Sequence, residues 1–293
     1  MDAFQHEWNK YEREGDKEMV KKGIALVVMV LTLLVTLIGC GTTSQSSSNS
    51  TSAAKEKLVV GVTAGPHEQV MKKVKEVAAT QGLDIEIKVF NDYVQPNLAL
   101  SEKALDVNVF QHEPYLDKFK TDRKLDLVAI GKAVTFPMGI YSNKVKSLND
   151  LKEGAVIGLP NDPTNAARAY QLFEQIGLIK LKTGIGLNVK ATDILTNPKK
   201  LVFKEMDAAF VPRALGDLDA AAINTNFALT SGLKPNKDAI AIEPKDNPWI
   251  NVIVVRGADK DKPVLKKFVQ VYQSPEVKDF INKTFEGAVI AAW

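Results

Sequence analysis

The chain has 293 residues, 45% of them hydrophobic and 25% charged, with a formal net charge of +3. That is globular composition, long enough for one large or two moderate domains; its Lys and Arg are scattered, which argues against nucleic acid as a partner. Three histidines (His6, His67, His112) and one cysteine (Cys40) cannot assemble a Cys/His structural zinc site or an internal disulfide, and no cofactor is expected.

Met1 to Glu18 is polar and of mixed charge. Met19-Val-Lys-Lys follows, then an apolar run from Ile24 to Ile38. A short basic segment before such a run reads as a secretory signal peptide, and the run falls short of the roughly 20 residues that span a bilayer. It stops at Gly39-Cys40 and gives way to a Ser/Thr-rich tract through Ser52. Leu37-Ile38-Gly39-Cys40 resembles the bacterial lipobox, in which the cysteine is acylated; the alternative is an uncleaved anchor helix with an incidental Cys. Residues 1–39 are therefore read as signal peptide and 40–56 as the lipidated Cys40 with a flexible linker, either with Met19 as the start or with an extended leader. Acylation would consume the only thiol, excluding cysteine catalysis, and more than one acyl chain anchors stably.

Leu58 to Ala64 reads as an apolar strand closing in Gly65-Pro66. A helix over about 67–81 follows, with Val70, Val74, Val77 and Ala78 on one face and Gly82 as its stop. Asp84 to Phe90 alternates strictly, as a strand does. Tyr93 stands just beyond it, before a helix over 96–103 with proline in its first turn. Val107 to Phe110 is a short apolar run. Gln111, His112 and then Glu113-Pro114-Tyr115 put an imidazole and two aromatics, Phe110 and Tyr115, where a strand leaves its sheet, the usual ligand position in open α/β sheets. A helix through Tyr115 to Lys120 and a strand over 126–130 complete a βαβ rhythm, which predicts a mainly parallel sheet.

Thr135 to Ser142 breaks that rhythm and reads as an extended crossover. Beyond it the sequence predicts a short helix over 147–154, a strand over 155–159, a turn-rich loop at Pro160 to Asn165, and a helix over about 164–176 with Arg168 in its first turns. Strands over 200–204, 220–223 and 239–242 and a short helix over 211–218 follow. Asn247 to Arg256 is a second crossover with a strong strand at Ile250 to Val255, and two helices, 263–272 and 275–285, close the chain. The expectation is two α/β lobes joined by two extended crossovers around a central cleft. Residues 57–134 and 247–293 form lobe 1 and residues 135–246 form lobe 2, and the cleft is the default ligand site.

Several stretches together carry a resemblance: Asn91-Asp-Tyr-Val-Gln-Pro-Asn97, Asn108-Val-Phe-Gln-His-Glu-Pro-Tyr-Leu116, Pro160-Asn-Asp-Pro-Thr-Asn165 with Arg168, Ile223-Asn-Thr225, and Asn247-Pro-Trp-Ile-Asn-Val252. With these the chain resembles the NlpA family of substrate-binding lipoproteins, in particular the methionine-binding lipoproteins of ABC importers. The resemblance implies a periplasmic-binding-protein type II fold, capture of a free amino acid, and delivery to an ABC permease and its ATPase by a lipid-anchored extracytoplasmic monomer that is not an enzyme. It also implies ligand contacts at Tyr93, Phe110, His112, Arg168, Asn224 and Asn251, with Tyr115 and Asn165 beside them. Trp249 departs from the family's usual tyrosine and is expected beside the site. A methionine-containing dipeptide, another small apolar amino acid, or a surface lipoprotein without transport are the alternatives.

These residue types suit an α-amino acid. Arg168 offers a planar fork that can bind a carboxylate through two bonds; on spacing alone a surface arginine on a solvated helix face is the commoner reading. Asn224 and Asn251 can accept from an ammonium without adding charge, or can cap Thr225 onwards and satisfy crossover backbone. Tyr93, Phe110 and His112 can hold a thioether, since sulfur against an aromatic edge contributes about 0.3–1.5 kcal/mol; Tyr93 alone could equally be half-buried core. His67, at a helix start, is assigned to structure. Gly184 and Gly186 form a bare Gly-x-Gly with no strand before it, so no dinucleotide site is expected.

Overall fold

The computed structural model describes residues 56–293. The expected signal peptide and the lipidation at Cys40 lie outside the described residues. Numbered in chain order, the strands are β1 (Glu56–Thr63), β2 (Leu83–Phe90), β3 (Val107–His112), β4 (Leu127–Thr135), β5 (Gly139–Tyr141), β6 (Val156–Pro160), β7 (Lys180–Leu181), β8 (Ile194–Thr196), β9 (Val202–Met206), β10 (Ala220–Ile223), β11 (Ala239–Ile242), β12 (Ile250–Arg256) and β13 (Ile290–Ala291). The helices are α1 (Pro66–Thr80), α2 (Gln95–Ser101), α3 (Glu113–Arg123), α4 (Pro163–Gln175), α5 (Thr225–Thr230), α6 (Pro235–Asp238), α7 (Pro263–Tyr272) and α8 (Pro275–Phe285).

Two sheets organise these elements, in the orders β13-β4-β12-β3-β1-β2 and β11-β5-β10-β6-β9. The first takes strands from both ends of the described chain and the second takes the middle. In each, an interior strand runs against its neighbours: β12 is antiparallel to β3 and β4, and β5 is antiparallel to β10 and β11, while the edge strand β13 also runs antiparallel to β4. β12 and β5 are the strands that follow the two crossovers. A chain re-entering from the other lobe arrives at the opposite end of the sheet, so its first strand must run backwards. The expected mainly parallel sheet is in this respect a mixed one.

Both faces of each sheet are covered, which is why their strands read as continuous apolar runs. Val70, Met71, Val74 and Ala78 of α1 pack with Val60, Val62, Val107 and Val109 and with Phe268, Val271, Val277 and Ile281 of α7 and α8. The other face of the first sheet buries Leu100, Leu105, Leu116, Leu127, Val252 and Val254. In the second lobe Ala166, Ala169, Tyr170 and Phe173 of α4 cover Ile157 and Leu159.

Two expected helices contract to single 3-10 turns, Leu148–Asp150 and Arg213–Gly216. Neither carries an apolar stripe: Leu148–Asp150 buries none of its residues and Arg213–Gly216 only Ala214 and Leu215. The short elements α5, β7, β8 and β13 were not anticipated. Strand β4 runs on to Thr135, beyond the expected Ile130, because its last three residues are buried against β12 and β13.

Candidate functional site

Strands β1, β3, β6 and β10 all end towards one cleft. The side chains just beyond those ends line a cleft cavity whose empty space, open solvent at its mouth included, is about 380 Å³. All eight residues expected at a ligand, Tyr93, Phe110, His112, Tyr115, Asn165, Arg168, Asn224 and Asn251, lie in its wall. His67, Phe136, Gln111, Thr225, Asn226 and Trp249 join them.

On the first lobe, β1 passes to α1 through Gly65, whose φ of 83° suits glycine. A Cβ there would stand 2.5 Å from Thr230 Cγ2. The turn brings His67 back onto the strand end, where Thr63 Oγ1 lies 2.8 Å from its Nδ1 and Asn251 Nδ2 lies 3.1 Å from its Nε2. An amide nitrogen can only donate, so Nε2 accepts and Nδ1 carries the proton. Burial pushes the His67 pKa down to about 3. The assignment of His67 to structure alone is therefore corrected: it holds Asn251 and forms part of the cavity wall.

His112 closes β3 and caps α3, with its Nδ1 accepting from Tyr115 N at 3.1 Å. Its Nε2–H then points at Asn165 Oδ1, 3.2 Å away on the second lobe. Burial, and after it the charge of Arg168, push the His112 pKa down to about 3. It is a neutral donor. Beside it, Tyr93, Phe110 and Tyr115 form a ring cluster with centroids 6.0–6.2 Å apart. Trp249 was expected next to the site. It stands within the wall instead, its ring 5.1 Å from His112 and 5.2 Å from the Arg168 guanidinium carbon.

On the second lobe, Asp162 caps α4 and its carboxylate accepts from Asn165 N at 3.0 Å and from Asn165 Nδ2 at 2.9 Å. Burial raises the Asp162 pKa and these donors oppose the rise. With its amide nitrogen so engaged, Asn165 turns Oδ1 outwards to accept from His112 and from Asn224 Nδ2 at 2.8 Å. Asn224 occupies the N-cap position of α5, yet its side chain makes no capping bond. Its Oδ1 is buried without a partner, and so is Asn226 Nδ2. Native interiors rarely leave such groups orphaned; here one acceptor and one donor border the same cavity. Asn226 was missed, although Asn224-Thr225-Asn226 was visible as a polar strand end.

Arg168 requires the main correction. It is 3% exposed, and of the fork expected to bind a ligand carboxylate through two bonds, Nε and Nη2 are already taken. Nε donates to Glu243 Oε1 at 2.8 Å, and Nη2 donates to Glu243 Oε2 at 2.5 Å and to the Phe136 carbonyl at 2.7 Å. Among the described residues Nη1 has no hydrogen-bond partner, so a ligand can be offered that nitrogen rather than the full fork. Glu243 follows strand β11 and precedes a proline, a position that gave no cue to an ion pair.

The two crossovers meet beside this pair. Glu243 accepts from Met138 N at 2.7 Å, and Thr135 Oγ1 lies 3.2 Å from Asn247 Oδ1. Tyr93 OH donates across the cleft to Asn226 Oδ1 at 2.6 Å. Two α/β lobes joined by paired extended segments, with a shared cavity at the strand ends, define a substrate-binding protein of the periplasmic-binding-protein type II fold.

Comparison with known proteins agrees. The family model described as NlpA lipoprotein matches residues 58–293, and the chain belongs to that family. The D-methionine-binding lipoprotein MetQ of Yersinia pestis is 43% identical over 275 residues, covering 93% of this chain and 98% of that protein. Its counterpart in Escherichia coli strain K12 is 44% identical over 260 residues, covering 88% and 93%. A nutrient-binding protein from Burkholderia cenocepacia, solved bound to methionine, is 50% identical with a TM-score of 0.79, covering 80% of this chain and all of that one.

Proposed function

We propose that the chain is the lipid-anchored, extracytoplasmic substrate-binding component of an ABC importer, and that it captures methionine and hands it to a membrane permease. One observation carries the choice of ligand. The cavity wall combines free polar groups, Arg168 Nη1 and the orphaned Asn224 Oδ1, with the rings of Tyr93, Phe110 and Tyr115. In this reading Nη1 donates to the α-carboxylate and the Asn224 and Asn251 carbonyls accept from the ammonium. The ring cluster takes the thioether, and His112 and Asn165 form the neutral wall between. Burying the side-chain methylenes adds about 0.8 kcal/mol each. The relatives named for methionine support the same ligand.

Residues 57–134 with 247–293 act as one lobe and 135–246 as the other, swinging about the two crossovers. Closure is favoured only by contacts that exist in the closed form. Arg168 and Asn224 on one lobe, with Phe110 and His112 on the other, are the groups a ligand would bridge. Catalysis is not part of the proposal. Both ring nitrogens of His67 and of His112 are engaged, and the hydroxyl of Thr225 donates to the Pro137 carbonyl at 2.5 Å. No nucleophile in the lining is paired with a base in the way such chemistry requires.

Titration calorimetry with the free amino acids and with methionine-containing dipeptides tests the proposal. Tight one-to-one binding of methionine, with other amino acids much weaker, is expected. Preference for a dipeptide, or no binding by any of them, would overturn it.

A further inference from the structure

The methionine reading uses Arg168 but leaves the carboxylate behind it without a role. Glu243 stands outside the cavity lining, 5% exposed, on the crossover between β11 and β12. It takes two bonds from Arg168 and one from Met138 N. Met138 belongs to the other crossover, and the Phe136 carbonyl two residues earlier takes a further bond from Arg168. The guanidinium is thus fixed on two of its three nitrogens.

Charge is the more telling consequence. Arg168 is the single permanently charged side chain of the wall. Alone it would give the cavity a positive potential, and any small carboxylate of suitable shape would be drawn in. Glu243 cancels that charge at hydrogen-bond distance. Asp162, the other carboxylate behind the lining, sits beyond Asn165 and adds no positive charge.

We propose that Glu243 sets the charge preference of the cavity, so that it selects a zwitterion over a bare carboxylate of the same shape. Glu243 is a positioning residue that acts through Arg168, and its role rests on the amino-acid reading of the site. A zwitterion brings no net charge into the neutral pair's surroundings. A deaminated analogue brings one negative charge whose desolvation the neutralised guanidinium does not offset.

The test is calorimetry with methionine, its α-hydroxy analogue (net negative) and methionine amide (net positive), on the wild type, Glu243→Gln and Glu243→Asp. The Gln variant keeps an acceptor and the side-chain shape while removing the charge. The affinity ratio of hydroxy acid to methionine should rise about tenfold or more in Glu243→Gln, as expected for one unit charge at short range in an effective dielectric of about 20. Methionine amide should weaken relative to methionine, and Glu243→Asp should keep the wild-type ratio. Equal weakening of all three ligands, or an Asp variant that shifts as the Gln variant does, would make Glu243 merely structural. Should Glu243→Gln fail to fold, the wild type still decides. A hydroxy acid bound at least about tenfold more weakly than methionine supports the proposal; one bound as tightly or more tightly overturns it. Wild-type protein that binds no methionine would instead remove the amino-acid reading itself, a result distinguishable from a lost charge preference.

Discussion

Replacing Arg168 is the obvious way to disable the site, and the geometry says that it would damage more than ligand binding. In Arg168→Met the Glu243 carboxylate, 5% exposed, loses both guanidinium bonds and keeps only Met138 N. Breaking a buried pair from one side costs about 3–5 kcal/mol, because a charge stays behind uncompensated. That is a large part of the roughly 5–15 kcal/mol by which domains are stable. Urea unfolding followed by circular dichroism measures the loss directly. The double variant Arg168→Met/Glu243→Leu leaves no stranded charge. It should lose less than the two single variants together, the cost being an unsatisfied Met138 N–H and Phe136 carbonyl at about 1–3 kcal/mol each. If Arg168→Met costs under ~1 kcal/mol, or the double variant loses the sum of the two single ones, the pair is not coupled as the distances imply. Affinities of Arg168 variants are interpretable only after this measurement.

Acid should destabilise the protein through the two imidazoles buried among the described residues. His67 and His112 have folded-state values near 3 against about 6.5 unfolded, so below 6.5 the unfolded chain binds more protons and stability falls. Between pH 7 and pH 5 the loss is about 2 kcal/mol for each histidine, and the urea midpoint of His67→Gln should depend less steeply on pH than that of the wild type. Asn224→Ala removes an acceptor that has no partner in the folded chain together with the Nδ2 bond to Asn165; calorimetry should show methionine affinity down by about 1.5–3 kcal/mol, while stability falls by about 0.5–1.5 kcal/mol. Tyr93→Phe deletes the 2.6 Å bond to Asn226 across the cleft, and the closed form should lose about 0.5–1.5 kcal/mol, read as a faster ligand off-rate in stopped-flow fluorescence.

Much of this was legible in the residues themselves. Strict alternation over Asp84 to Phe90 and the apolar run at Val107 gave strands, and Pro66, Pro163 and Pro275 stand in the first turns of their helices. Position at a strand end grouped Phe110, His112 and Tyr115, and the family resemblance added Tyr93 and Asn224 to them. What sequence pattern could not supply was pairing across long separations. Glu243 lies 75 positions from Arg168, and Asn251 lies 184 from His67. Nothing local marks such partners, so the guanidinium was read as free and His67 as structural. Direction was hidden for the same reason: a strong apolar strand at Ile250 does not say that it enters its sheet backwards. The family pattern puts Trp249 only beside the cavity, and a crossover aromatic gives no hint in sequence of which way it faces.

The orientation of the ligand is the centre of the account, and a crystal structure with selenomethionine bound tests it most directly. The anomalous selenium peak should fall among the rings of Tyr93, Phe110 and Tyr115, with the carboxylate on Arg168 Nη1 and the ammonium on Asn224 Oδ1. Selenium at the Arg168 end, or a ligand outside this cavity, would contradict it.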